Sequence, residues 1–205
     1  MRVVGILDLQ LGNLRSVANA VYEQGYDFVI VTDAAQLDDL SHLILPGVGH
    51  FQTAMQHFTQ SGLLESVQAY VASKRPLLGI CLGMQLFAAL GHEGCLTQGL
   101  DFIPGAIVPF NQENLRVPHI GWNTVRFQRE HPVFAQVKKD RDFYFVHSYH
   151  YQGEADYIYA TTDYGAAFPA IIGKENVIGF QFHPEKSQKN GLQLLENFCQ
   201  WDGQC

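Results

Sequence analysis

The chain has 205 residues, 47% of them hydrophobic and 16% charged, which excludes fibrous and disordered classes and gives enough length to bury a core without disulfides or a metal. With 13 Lys and Arg against 20 Asp and Glu, the formal charge is −7, the wrong sign for neutralising nucleic-acid phosphates, so no nucleic-acid partner is expected. The apolar start, residues 2–7, is cut at Asp8, too short for a signal peptide or a membrane span; a cytoplasmic location with no membrane association is expected.

In chain order, residues 2–7 read as a strand. Leu14, Val17, Ala18, Val21 and Tyr22 then follow the period of an amphipathic helix, with Asn13 expected as its N-cap and Gly25 just past its end. Short apolar strands are expected over residues 28–31 and 43–45, the second running into Pro46-Gly47-Val48-Gly49. Leu63, Leu64, Val67 and Val71 have helical spacing, Pro76 stops that helix, and residues 77–80 form a strand leading to Cys81. Leu82, Gln85, Leu86, Ala89 and Leu90 resume the helical period. From about Phe102 the texture changes to strand pieces at 106–108, 125–127, 143–146, 157–161, 170–172 and 177–182, before a final helix carrying Leu192, Leu195, Phe198 and Cys199. Strands alternating with helices predict a single α/β domain over residues 1–205: a mostly parallel open sheet flanked by helices, with antiparallel strands added in the C-terminal half.

Four cysteines (Cys81, Cys95, Cys199, Cys205) make no C-x-x-C pair and no zinc spacing, so no metal, cofactor or disulfide framework is expected. Cys81 sits in Gly79-Ile80-Cys81-Leu82-Gly83, a glycine-flanked nucleophile between a strand and a helix. Such a turn holds the nucleophile in a strained backbone and presents it at a helix N-terminus, where a thiolate is favoured. The bland alternative is a small buried hydrophobe in a tight turn.

A thiol nucleophile needs a base, and nine histidines are available. His183 ends the 177–182 strand, Pro184 biases it toward extended backbone, and Glu185 two residues on projects to the same side and can orient the imidazole. His147 is a rival base without a carboxylate nearby in sequence. His119 is expected in a loop, in a packing or interface role. Gly47-Val48-Gly49 can offer a backbone N–H to an oxyanion, with the Leu82 N–H as second donor. A phosphate-binding reading of those glycines finds no completing G-K-[ST].

Taken together, Gly79 to Gln85, the P-G-V-G segment and His183-Pro184-Glu185 resemble the class I, triad-type glutamine amidotransferases. Gly12-Asn13-Leu14-Arg15-Ser16-Val17, His119-Ile120-Gly121-Trp122-Asn123 and Phe145-Val146-His147-Ser148-Tyr149 are similar to the glutaminase subunits of imidazole glycerol phosphate synthases, over nearly the whole chain. The resemblance implies Cys81 as nucleophile, His183 as base and Glu185 as its orienter. It implies Gly47, Val48 and Leu82 at the oxyanion hole, the Gly47-Val48 peptide having to reorient to complete it. Glutamine would be held by Gln85, Glu93 and the Ser148-Tyr149 backbone. Asn13, Trp122, Tyr144 and Lys186 would lie at or near the interface with a separate cyclase subunit, a (β/α)8 barrel that receives the ammonia. Open alternatives are an amidotransferase for a sugar or another nucleotide acceptor, a stand-alone thiol hydrolase, and a silent partner-binding subunit.

Overall fold

The structure, a computed structural model, describes residues 2–111, 115–138 and 140–204; Cys205 lies outside the described residues. The first half alternates as expected: β1 (Val3–Leu7), α1 (Leu14–Glu23), β2 (Asp27–Val31), β3 (His42–Gly47), α2 (Phe51–Ser61), α3 (Leu63–Ala72) and β4 (Leu77–Cys81). A short helix α4 (Leu82–Gln85) follows, then β5 (Ala88–Gly91), β6 (Thr97–Gln98), β7 (Ile103–Pro109), β8 (His119–Phe127), β9 (Arg141–His147) and β10 (Tyr149–Gln152). The chain ends with β11 (Ile158–Tyr164), β12 (Ala166–Lys174), β13 (Val177–Phe180) and α5 (Gln188–Gln200).

A nine-stranded sheet runs in the order β2-β1-β3-β4-β13-β12-β11-β8-β9. Its first five strands are parallel and the remaining pairings antiparallel. Helices cover both faces, and the period-two alternation of strand side chains divides the core between them. Val4, Ile6, Ile44, Leu78 and Ile80 pack toward Val17 and Val21 of α1 and Leu194, Leu195 and Phe198 of α5. On the opposite face Leu43, Leu45 and Leu77 meet Phe51 and Phe58 of α2 and Val67 and Tyr70 of α3. Each such large side chain contributes about 1.5–3 kcal/mol by leaving water, and this burial holds the carboxyl ends of β3 and β4 at a common edge.

Several local expectations are corrected. The helical period after Cys81 stops at Gln85, and residues 88–91 form a strand instead. The run Leu86-Phe87-Ala88-Ala89-Leu90 has no polar residue, so its period cannot distinguish a buried strand from a buried helix. The choice is made by tertiary hydrogen bonds: Leu100 N donates to Leu86 O at 2.8 Å and Ile103 N to Phe87 O at 3.0 Å. With β6, β7 and β10, this strand makes a second, four-stranded sheet that the sequence reading does not contain. Helix α2 is likewise additional. His119 opens strand β8 rather than lying in a loop. Strand β13 stops at Phe180, three residues before His183.

Candidate active site

Cys81 closes β4 with φ 54° and ψ −108°, a conformation that costs a non-glycine residue of order 1–3 kcal/mol. Its neighbours must be glycines: a Cβ on Gly83 would lie 1.7 Å from the Leu45 carbonyl oxygen, and one on Gly79 would lie 2.6 Å from the Met84 nitrogen. The turn is therefore locked between β3 and α4, and the thiol cannot drift. Its sulfur lies 3.7 Å from the Val146 carbonyl oxygen and 3.9 Å from the side-chain amide of Gln181, which donates to it.

His183 arrives from the adjacent strand, since β13 pairs with β4 through Gly179 opposite Gly79 and Phe180 opposite Ile80. The residue is extended, at φ −97°, and its backbone N–H donates to Tyr144 O at 2.9 Å. Ser187 ties the turn: its hydroxyl donates to His183 O at 2.6 Å and accepts from Tyr144 N at 3.0 Å. His183 Nδ1 lies 2.8 Å from Glu185 Oε1, with both side chains 0% exposed. Burial opposes the charged imidazole, but the Cys81 sulfur and the Glu185 carboxylate outweigh it and raise the His183 pKa to about 9. Glu185 is likewise penalised by burial, yet His183 and Asn13 hold its pKa below the ordinary carboxylate range. His183 Nε2 is buried without a hydrogen bond in this geometry.

Asn13 stands at the N-terminal boundary of α1 but does not cap it. Its φ of 66° is left-handed, and its side chain makes no cap hydrogen bond. Instead Nδ2 donates to Glu185 Oε1 at 2.6 Å. The residue assigned by resemblance to the interface region thus also touches the His183–Glu185 pair.

Beside Cys81 opens a cavity of about 280 Å³ lined by Val48, Leu82, Gln85, Glu93, Ser148 and Tyr149, among others. Gln85 Nε2 donates to Tyr149 O at 3.0 Å and to Gln181 Oε1 at 3.1 Å, while Glu93 Oε2 accepts from the Phe51 N–H at 2.7 Å, at the start of α2. Gly47 sits opposite Cys81 in the β3–β4 ladder, so the P-G-V-G segment forms one lip of the cavity. The Val48 N–H, however, donates to Leu11 O at 3.2 Å. Gln181, 0% exposed and in contact with both Cys81 and Gln85, is a site residue that sequence reasoning passed over; a buried amide alternating with Phe180 and Phe182 is the signal that marks it.

Trp122, Tyr144 and Lys186 gather on one surface. Trp122 faces Tyr144 across the β8–β9 ladder with ring centroids 6.0 Å apart, and Lys186 Nζ lies 5.9 Å from the Tyr144 ring. Trp122 is 48% exposed beside Ile120 at 59%, an apolar patch next to the Cys81 site. Among the described residues no group of three His, Cys, Asp or Glu side chains could hold a metal ion, and no helix is long and apolar enough to cross a membrane.

The family model described as "Glutamine amidotransferase class-I" matches residues 5–201. The chain is similar to "Imidazole glycerol phosphate synthase subunit HisH" of Caldanaerobacter subterraneus subsp. tengcongensis, 43% identical over 96% of this chain and 97% of the relative. The protein of the same name from Archaeoglobus fulgidus is 41% identical over 96% and 97%. Among solved structures, PurLQS from Thermotoga maritima superposes with a TM-score of 0.75 at 16% identity, covering 96% of this chain and 97% of that one. A chain described as a glutamine amidotransferase gives 0.73 at 20% identity over 95% and 98%.

Proposed function

The chain belongs to the class-I glutamine amidotransferase family and, within it, to the imidazole glycerol phosphate synthase subunits of histidine biosynthesis, and from that premise we propose that its Cys81 cavity hydrolyses glutamine and hands the ammonia to a separate cyclase subunit. The observation that carries this reading is the strained Cys81 in the wall of a cavity whose other walls hold Gln85, Glu93 and Tyr149.

The geometry supports the following chemistry. The Cys81 thiolate attacks the glutamine side-chain carbonyl, and the oxyanion is met by backbone N–H groups at Leu82 and Val48. His183 protonates the departing nitrogen as the C–N bond breaks, leaving a glutamyl thioester and ammonia. Water then gives a proton to His183, attacks the thioester and releases glutamate. Glu185, anchored by Asn13, stabilises the imidazolium in each half-reaction. The exposed Ile120–Trp122 patch with Tyr144 and Lys186 is the proposed docking surface for the cyclase, which would use the ammonia to make imidazole glycerol phosphate and aminoimidazole carboxamide ribonucleotide. Free ammonia in neutral water is mostly protonated and no longer nucleophilic, so a tight partner is a chemical requirement.

The Val48 N–H supports a gated site. It is committed to Leu11 O, and only a rotation of the Gly47-Val48 peptide would bring it to the oxyanion. Such a rotation turns on ψ of residue 47, where glycine tolerates conformations other residues do not. The test is glutamate release by the purified chain alone and in complex with the cyclase and its nucleotide substrate. Strong stimulation that disappears in Cys81→Ala is expected; full activity in the isolated chain overturns the gating, and activity retained by Cys81→Ala overturns the nucleophile.

A further inference from the structure

Two buried histidines next to the cavity take no part in the chemistry above. His119 and His147 are cross-strand partners at the start of β8 and the end of β9, 3% and 6% exposed, with His119 Nδ1 3.1 Å from His147 Nε2. Hydrogen bonds at both ends of this pair fix its direction. At one end, Asn123 Oδ1 accepts from the Thr124 N–H at 2.9 Å, which orients the amide so that Nδ2 is presented to His119 Nε2 at 3.4 Å. A second Nδ2 hydrogen bond, to Asp163 O at 2.7 Å, pins the amide further. His119 Nε2 must therefore accept, and its proton sits on Nδ1 and points at His147 Nε2. At the other end, His147 Nδ1 lies 2.8 Å from Tyr149 O, which can only accept. All three contacts are satisfied by one arrangement: Asn123 to His119, His119 to His147, His147 to the Tyr149 carbonyl.

The arrangement needs both rings neutral. Burial supplies this, lowering the His119 pKa to about 4 and the His147 pKa to about 3. The Tyr149 carbonyl also accepts from Gln85 Nε2 at 3.0 Å, so both of its lone pairs are taken and the peptide is held from two sides. Tyr149 and Gln85 both line the cavity.

Resting on the reading of that cavity as the glutamine pocket, we propose that Asn123, His119 and His147 are positioning residues: a one-way hydrogen-bond chain from the β8 strand that carries exposed Ile120 and Trp122 to the carbonyl that shapes the substrate pocket. His147 itself lines the cavity with Cys81, but the hydrogen bonds of the three residues end on the Tyr149 carbonyl rather than on Cys81, His183 or Glu185, so the chain sets where glutamine binds rather than how fast its amide is cleaved.

Two substitutions separate the proton chain from packing. The His119 ring is stacked between Phe145, at 4.9 Å, and Tyr164, at 4.0 Å, so His119→Phe keeps the stack and removes the donor. His119→Asn loses the ring but places an N–H donor near the Nδ1 position. In the complex with the cyclase subunit, His119→Phe is expected to raise KM for glutamine about tenfold, the worth of one hydrogen bond, with kcat within about twofold, while His119→Asn restores most of the KM. Nitrogen NMR of the histidine rings gives an independent reading on the free chain. The wild type should show the Nδ1–H tautomer at both His119 and His147, and Asn123→Ala should populate the other tautomer at His119. Unchanged KM in His119→Phe, or an Nε2–H tautomer at His147 in the wild type, overturns the proposal. Should His119→Phe not fold, the Asn123→Ala tautomer spectrum decides, an unchanged spectrum counting against the chain. A wild-type complex without glutaminase activity would instead overturn the pocket assignment, and the ring spectra would still report on the hydrogen-bond chain.

Discussion

Asn13 and Glu185, 172 residues apart in the sequence, are joined by a 2.6 Å hydrogen bond from the Asn13 amide to the carboxylate oxygen that also faces His183. A hydrogen bond to a buried charge is worth about 1.5–3 kcal/mol. Asn13→Ala is therefore expected to lower kcat for glutamine hydrolysis in the complex by about 10- to 100-fold with KM little changed. Asn13→Asp, which sets a second carboxylate against Glu185, should be worse than Ala; steady-state kinetics of the two variants checks the order.

The positive φ of Cys81 makes a prediction about stability that is independent of activity. Both Cys81→Ala and Cys81→Gly should abolish glutaminase activity. Glycine nevertheless should be the more stable of the two by about 1 kcal/mol despite its smaller side chain, because it alone adopts φ 54° without strain. Thermal melts of the pair, read against each other rather than against wild type, test this.

The raised pKa of His183 has a direction in pH. Protonation is favoured in the folded chain by the Cys81 sulfur and Glu185, so the stabilisation is fully present below the unfolded value of 6.5 and is lost as pH rises through about 9. The wild type should therefore lose stability over that window relative to His183→Gln. Denaturant midpoints of the two proteins at several pH values measure the difference; parallel curves would contradict it.

Gly83 is a packing requirement of the turn that carries Cys81. Gly83→Ala would drive a methyl carbon to within 1.7 Å of the Leu45 carbonyl oxygen, and a loss of about 3 kcal/mol or more is expected. Gly49→Ala is the control: φ there is 124° but nothing lies within 4 Å, so its cost is backbone strain alone, about 1–3 kcal/mol. Comparing the two by chemical denaturation separates steric clash from backbone strain.

The parallel half of the fold is legible because apolar strand runs such as Leu43 to Leu45 and Leu77 to Ile80 sit between segments of helical period. Helix α2 carries the same signal in Phe51, Ala54, Met55 and Phe58, all buried, but it follows so closely on the P-G-V-G turn that loop chemistry masks it. The second sheet is not legible, since β6 has 2 residues and β10 only 4, and neither offers a period to read. Cys81, His183 and Glu185 stand out locally, as a glycine-flanked cysteine and an i, i+2 histidine–glutamate pair just beyond a strand. Asn13 misleads, since its type and place suit an N-cap while its side chain is taken by a tertiary contact. The direction of the His119–His147 pair depends on which way the Asn123 amide faces, and only neighbouring backbone groups decide that.

The position of β13 in the sheet bears on how the protein is made. That strand lies between β4 and β12, so the centre of the sheet is filled only after the strands on both sides of it have been synthesised. Until Val177–Phe180 has emerged from the ribosome, the strand bearing Cys81, the proposed nucleophile, has an unpaired edge, and neither His183 nor Glu185 has been made. On the proposed mechanism, a chain ended before that point would carry Cys81 without its base and could not hydrolyse glutamine. Its open edge would instead invite pairing with another unfinished chain, so aggregation rather than unregulated hydrolysis is the hazard of incomplete synthesis.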